Sequence, residues 1–344
     1  MAREWSMPVK EVSIPIVIVP EGRPGAGAGL LQATVSAAAS RTWIILSFTV
    51  GCQLKHRPRL PKMGFALQSK EELVGVFSRN ADAYRKRLDE AMRKGQAAGR
   101  DQILDHLKPR PGMRILDLAC GPGTLTIPMA LELGGDGEVV GVDLADGMLA
   151  AARQSIAGRS LPVRFLRMDA ENLQFQPATF DAVGCGHGLH FLPNLGRALR
   201  EVRRVLKPRG RFAASIPPPE SAPSPAAEAY RAVFDHELGE LPAQPALEAT
   251  RRTVNDLDRF QAAAVQAGFR LVETELVEVE TTWDGPAHYA EINSNWWSYA
   301  SRLEDVEPDR RRRILDKAEK AVRDVTGEQP FSVTSAAHVL RAEA

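Results

Sequence analysis

A chain of 344 residues is long enough for one large domain with insertions, or for two domains. Its 44% hydrophobic and 25% charged content is that of an ordinary globular protein, and a net charge of +1 gives no general electrostatic case for nucleic-acid or membrane binding. The three cysteines, Cys52, Cys120 and Cys185, are far apart, which excludes a disulfide framework or cysteine metal site and suits a reducing cytoplasm.

Residues 1–62 differ from the rest, with eight Lys/Arg against three Asp/Glu. Their apolar runs, Val12 to Val19 and Trp43 to Val50, lack helical or strand periodicity. The run from Thr42 to Leu54 is shorter than the about 20 residues a bilayer span needs, and no small-residue cleavage site follows it. Three readings stay open: a disordered extension, a poor targeting peptide, or sequence upstream of a true start at Met63. A non-core extension is the reading adopted, with the domain proper over 63–344.

From Ser69 to Leu107 the pattern is helical: Leu73, Val76, Phe77, Ala81 and Tyr84 recur at spacings of three and four, Ser69 is a candidate N-cap, and a second helix is expected over about 96–107. The core then spans 112–216. Strands are expected near 114–119, 138–143, 163–168, 179–185 and 210–216, and helices near 122–133, 146–157 and 194–206. That alternation demands right-handed crossovers and an α/β fold with a doubly wound, mostly parallel sheet. An insertion at 217–250 opens with Pro217-Pro-Pro219. A helix near 253–267 and a strand near 269–280 follow, then a helical cap insertion at 284–326 and a last strand at 331–341.

The chemistry concentrates at Arg114 to Gly123, where an apolar run ends in Gly121-Pro-Gly123. Without Cβ atoms the two glycines permit unusual φ/ψ and close approach of a ligand to the backbone. The next strand, Glu138 to Asp143, ends in an acid 20 residues beyond Gly123, the separation at which a nucleotide-binding βαβ unit places its ribose carboxylate.

Four motifs extend this pattern: Leu116-Asp-Leu-Ala-Cys-Gly-Pro-Gly123; Val140-Gly-Val-Asp-Leu-Ala-Asp-Gly-Met-Leu149; Phe165-Leu-Arg-Met-Asp-Ala-Glu171; and Phe180 to His190 running into Glu201 to Arg211. In order and spacing they resemble class I S-adenosylmethionine-dependent methyltransferases of the type-11, ubiquinone/menaquinone C-methyltransferase-like group. The resemblance covers about 75–341 and implies a seven-stranded Rossmann-like sheet. Ala119 and Arg209 depart from it, each standing where a glycine is usual.

The resemblance implies S-adenosylmethionine as cofactor. Gly121 and Gly123 would pass beneath its methionyl part, with Ala119 in the same turn. Asp143 would accept from both ribose hydroxyls, with Leu144 beside it and Met148 against the adenine. Asp169 would accept from the adenine amino group while the Ala170 N–H serves the ring. Asp117 would hold the amides of the glycine turn near the cofactor's amino group. Cys185, at a strand end beside Cys120, joins this set as a small packing residue. Tyr84 would close over the cofactor from the leading helices, or pack in the core. No metal is expected.

His187 and His190 follow the fourth strand, at the end where open α/β sheets bind ligands, as candidate general bases or as residues that shape the pocket. The absence of Asn-Pro-Pro-Tyr there argues against DNA-adenine and glutamine acceptors. Trp296, Trp297 and Tyr289, with Asn293 and Asn295 interleaved, are candidates for a pocket around a planar or apolar acceptor, or for packing of the cap. C- or O-methylation of a small apolar or aromatic metabolite in the cytoplasm, without nucleic-acid or membrane partners, is the function expected. The alternatives are cofactor binding without methyl transfer, and a nicotinamide-dependent oxidoreductase.

Overall fold

A computed structural model describes residues 69–94, 97–217 and 224–344, so the extension expected over 1–62 lies outside the described residues. Ser69 caps α1 (Lys70–Arg79) by accepting from the Glu72 N–H at 3.1 Å. The helical pattern then breaks at Asn80, whose side-chain amide donates to Val76 O at 2.9 Å, before α2 (Ala81–Arg93) begins. Gly99, at φ 80°, starts α3 (Arg100–Leu107). A Cβ there would lie 2.7 Å from Ser215 Cβ, so the helix sits this close to the sheet only with glycine at its head.

Strands and helices then alternate: β1 (Arg114–Leu118), α4 (Thr126–Leu133), β2 (Glu138–Asp143), α5 (Asp146–Ser155), β3 (Val163–Arg167), β4 (Phe180–Gly186), α6 (Leu195–Val205) and β5 (Leu206–Ile216). A single 3-10 turn, Leu189–Phe191, follows β4. The strand expected at 210–216 begins earlier, at Leu206, and its pairing with β4 carries a bulge between Phe180 and Ala182. Beyond it come α7 (Pro225–Leu238), α8 (Pro245–Val254), α9 (Leu257–Gln266), β6 (Arg270–Trp283), α10 (Pro286–Ser294), α11 (Trp297–Leu303), α12 (Pro308–Thr326) and β7 (Phe331–Glu343). The helix expected over 253–267 begins at Leu257, because Asp256 turns its carboxylate to the Arg259 N–H and caps that start, while Thr253 and Val254 end α8.

The sheet has seven strands in the order β3-β2-β1-β4-β5-β7-β6. β1 to β5 run parallel, and β7 enters antiparallel between β5 and β6. Side chains along β1 alternate between two apolar layers. Leu116 and Leu118 join the cluster of Val202, Val205 and Phe260, while Ile115 packs with Ile103, Leu107 and Met129 of α3 and α4. Asp117 therefore points toward α3 and α4. Such fully buried leucines and phenylalanines contribute about 1.5–3 kcal/mol each. α7 shares one core with α10, α11 and α12, in which Tyr230 and Phe234 meet Tyr289, Leu303, Ile314 and Val322.

Candidate active site

β1 and β4 are neighbours at the centre of the sheet, and the chain leaves them for opposite faces, so their carboxyl ends open a crevice. A cavity of about 850 Å³, its open mouth included, fills that crevice. Its floor is the turn Ala119–Pro122, the β2 end from Val142 to Ala145, the β3 end from Met168 to Ala170, and Gly186–Gly188 after β4. Its roof is one face of α1 (Lys70, Leu73, Val74, Phe77), with Tyr84 and Leu88 of α2 and Arg100 of α3.

The floor turn is built on left-handed backbone: Ala119 at φ 53°, Gly121 at 54° and Gly123 at 87°. Gly121 faces open space, with nothing within 4 Å of where its Cβ would stand. Asp143 clamps the turn to β2, its carboxylate accepting from the Gly121 N–H and from the Ala145 N–H at 2.9 Å each. Burial pushes its pKa up, and these amide bonds hold it down. Each oxygen keeps a lone pair for further donors on the cavity side.

Asp117 is the correction to the motif reading. It does not line the cavity, and the Gly121 amide it was expected to hold belongs to Asp143. Instead, at 1% exposure, its Oδ2 accepts from Thr126 Oγ1 at 2.5 Å while its Oδ1 has no partner. Burial pushes its pKa up to about 7, with the Thr126 bond and the Arg100 charge pulling it down. Cys185 is likewise absent from the wall; fully buried, its thiol is pushed up to about 12 by desolvation, and Cys120 is the thiol at the cavity.

Leu144, Met148, Asp169, Ala170 and Tyr84 line the cavity. Asp169 is already engaged, its two oxygens each 3.0 Å from Lys70 Nζ. The two histidines separate. His187 lines the cavity in left-handed backbone, φ 56°, with a buried, unpartnered Nε2. Burial, then Arg100 and His190, push its pKa well below the ordinary value, so it is neutral at pH 7. His190 lies off the cavity with its ring 3.9 Å from that of Phe191, and burial pushes its pKa down to about 3.

Trp296, Trp297 and Tyr289 stand behind the wall rather than in it. Trp296 packs on Tyr84 at 5.5 Å, and Trp297 lies 5.7 Å from both Phe77 and Phe191. Tyr289 sits in the cap core, 4.9 Å from Trp283. Asn293 and Asn295 donate to the carbonyls of Tyr289 and Glu291 in their own helix.

The wall residues that carry no motif include Arg100, Phe77 and Phe191. Arg100 is 3% exposed with an unpartnered Nε, and among the described residues it donates to Thr124 Oγ1 at 3.5 Å. It also occupies the first position of α3, where the helix dipole disfavours a cation. An arginine buried against both desolvation and the dipole is the one sequence-position clue to its role. The cluster of ligand-seeking groups thus has opposite signs at two ends: Asp143 and Asp169 along β2 and β3, Arg100 and neutral His187 near β4.

A family profile described as a methyltransferase domain matches residues 115–210. The demethylmenaquinone methyltransferase of Bacillus cereus (strain ATCC 10987 / NRS 248) is 35% identical over 146 residues, 42% of this chain and 62% of that protein. The protein of the same name from Bacillus mycoides (strain KBAB4) is 34% identical over the same shares. The match thus spans 62% of the length of these relatives. Among solved structures, the YcgJ protein of Bacillus subtilis is 20% identical, with 71% of this chain and 97% of that one aligned at a TM-score of 0.45. The profile covers residues 115–210, from β1 through α6 into the start of β5, so this stretch is similar to a methyltransferase domain.

Proposed function

We propose that the cavity binds S-adenosylmethionine and that the chain methylates a small apolar or aromatic acceptor. The observation that carries this reading is Asp143: its carboxylate is fixed by two backbone amides at the crossover of β1 and β2, with free lone pairs beside a glycine turn that leaves room for a ligand. The residues fit the cofactor's parts. Asp143 suits the ribose hydroxyls, Met148 and Ala170 the adenine, and buried Arg100, its Nε unpartnered, the methionyl carboxylate. When bound, S-adenosylmethionine supplies an electrophilic methyl group.

The rest falls to this chain's residues. α1, α2 and Phe191 exclude water, and Leu73, Val74, Phe77 and Leu88 offer an apolar flank to an acceptor. Neutral His187 is the imidazole placed to take a proton from an acceptor carbon or hydroxyl, its Nε2 having no other partner. The relatives' name indicates a quinol-type ring, which an apolar, aromatic flank suits. No described helix is long and apolar enough to cross a membrane, and the buried thiols Cys120 and Cys185 suit a cytoplasmic setting.

Calorimetric titration of the full chain with S-adenosylmethionine and, separately, with NAD tests the reading. Binding of the first and not the second is expected; the reverse would make the chain an oxidoreductase. Incubation with a cell extract and isotopically labelled cofactor then shows transfer, and a chain that binds but labels nothing would be a cofactor-binding protein only.

A further inference from the structure

We propose that Lys70 is a positioning residue that latches α1 over the bound nucleoside and sets how long it stays. The inference rests on the cofactor reading above and goes beyond it, since no motif includes Lys70. The lining residues Lys70, Leu73, Val74 and Phe77 fall at i, i+3, i+4 and i+7, so one face of α1 lies flat on the cavity. A ligand beneath that face is covered by the helix.

The two ends of α1 are held differently. Its carboxyl end is docked on backbone: a Cβ on Gly147 of α5 would stand 2.0 Å from Ser78 O, and Arg79 Nε pairs with Glu304 at 3.0 Å. Its amino end is tied through the side chain of Lys70. The ammonium lies 3.0 Å from both oxygens of Asp169 and 2.9 Å from Glu171 Oε2. Glu171 is fixed in turn, accepting from the Asn194 N–H at 2.9 Å, and its own N–H donates to Asp169 Oδ1. Two carboxylates are thereby held side by side, and Lys70 is the cation between them. The site is partly sheltered, with Lys70 20% and Glu171 10% exposed, so the attraction is stronger than at an open surface and still open to salt. α1 accordingly works as a strap with a rigid docked end and an electrostatic latch, closed beside the strand end assigned to the adenine.

The test is the release of labelled S-adenosylmethionine from the full chain, chased with unlabelled S-adenosylhomocysteine. Lys70→Met should speed release about tenfold while association changes little, Glu171→Gln should speed it about threefold, and Lys70→Arg should restore it to within about twofold of wild type. Raising salt from about 0.05 to about 0.5 M should speed release from the wild type and leave Lys70→Met unmoved. A role confined to folding would not give that difference. If Lys70→Met unfolds, Glu171→Gln and the wild-type salt series decide. A wild type that releases at a salt-independent rate, or variants that release at its rate, would overturn the latch and leave the cofactor reading intact. A wild type that binds neither compound would overturn the cofactor reading itself.

Discussion

Asp117 makes stability fall as pH rises, and Asp117→Asn should remove that fall. The carboxyl is buried in β1 with one oxygen on Thr126 and the other unpartnered, and its pKa stands at about 7 against an ordinary 3.8. Below pH 3.8 both folded and unfolded chains hold the proton, and the group is neutral to stability. Between 3.8 and 7 the unfolded chain loses it while the folded chain keeps it, so folding weakens with pH. Above 7 the full penalty applies. A rise from 3.8 to about 7 corresponds to about 4 kcal/mol at 1.36 kcal/mol per pH unit. Asparagine keeps the acceptor for Thr126 and carries no charge at any pH. The variant should match wild type within about 1 kcal/mol near pH 4.5 and exceed it by about 2–4 kcal/mol near pH 8.5. Urea melts at fixed pH values read this directly, provided the slope is unchanged. A wild-type stability flat from pH 5 to 8, or a variant weaker than wild type at pH 8.5, would refute the reasoning. A cationic ligand end near Asp117 would favour its charged form, so cofactor affinity should rise through pH 7 in the wild type and not in the variant.

Asp143→Ala removes two backbone bonds and the proposed ribose contacts, and should weaken cofactor binding by about 30- to 1,000-fold in calorimetry. His187→Asn suits the left-handed backbone at φ 56° and should keep the fold, while methyl transfer drops about 100-fold or more if the imidazole is the base. Arg209→Gly should raise stability by up to about 1 kcal/mol in thermal melts, since φ 63° strains a side chain that glycine lacks. Phe191→Ala should impair acceptor turnover more than cofactor affinity, and Trp297→Ala should do so more weakly, because Trp297 meets the cavity through Phe77 and Phe191.

The alternating core was legible because β1 and β2 are buried on both faces and read as apolar runs. What periodicity missed were the breaks made by single side chains. Asn80 folds back on Val76, and Asp256 caps α9, each ending a run whose apolar spacing continues through it. The departures at Ala119 and Arg209 were visible as letters only. The backbone explains them: both residues sit at positive φ, the conformation for which glycine is usual.

The candidate site divides along the same line. Asp143, Asp169 and the glycine turn each terminate a strand of one continuous βαβ series, so sequence spacing alone brings them together. Arg100, Lys70 and Phe191 reach the cavity from separate helices and a turn, and only the packing of α1 and α3 on the sheet gathers them. The aromatic run near 283–299 follows the packing alternative: Trp296 and Trp297 lie one layer behind Tyr84, Phe77 and Phe191, and sequence clustering alone did not separate that from lining the wall. A wall built this way separates two requirements. The proposed cofactor side is set by backbone turns that tolerate little change, whereas the proposed acceptor side is a contact between helices. On the proposed reading, a substitution at Trp297 would act on the acceptor through Phe77 and Phe191 and leave Asp143 and the turn it clamps in place.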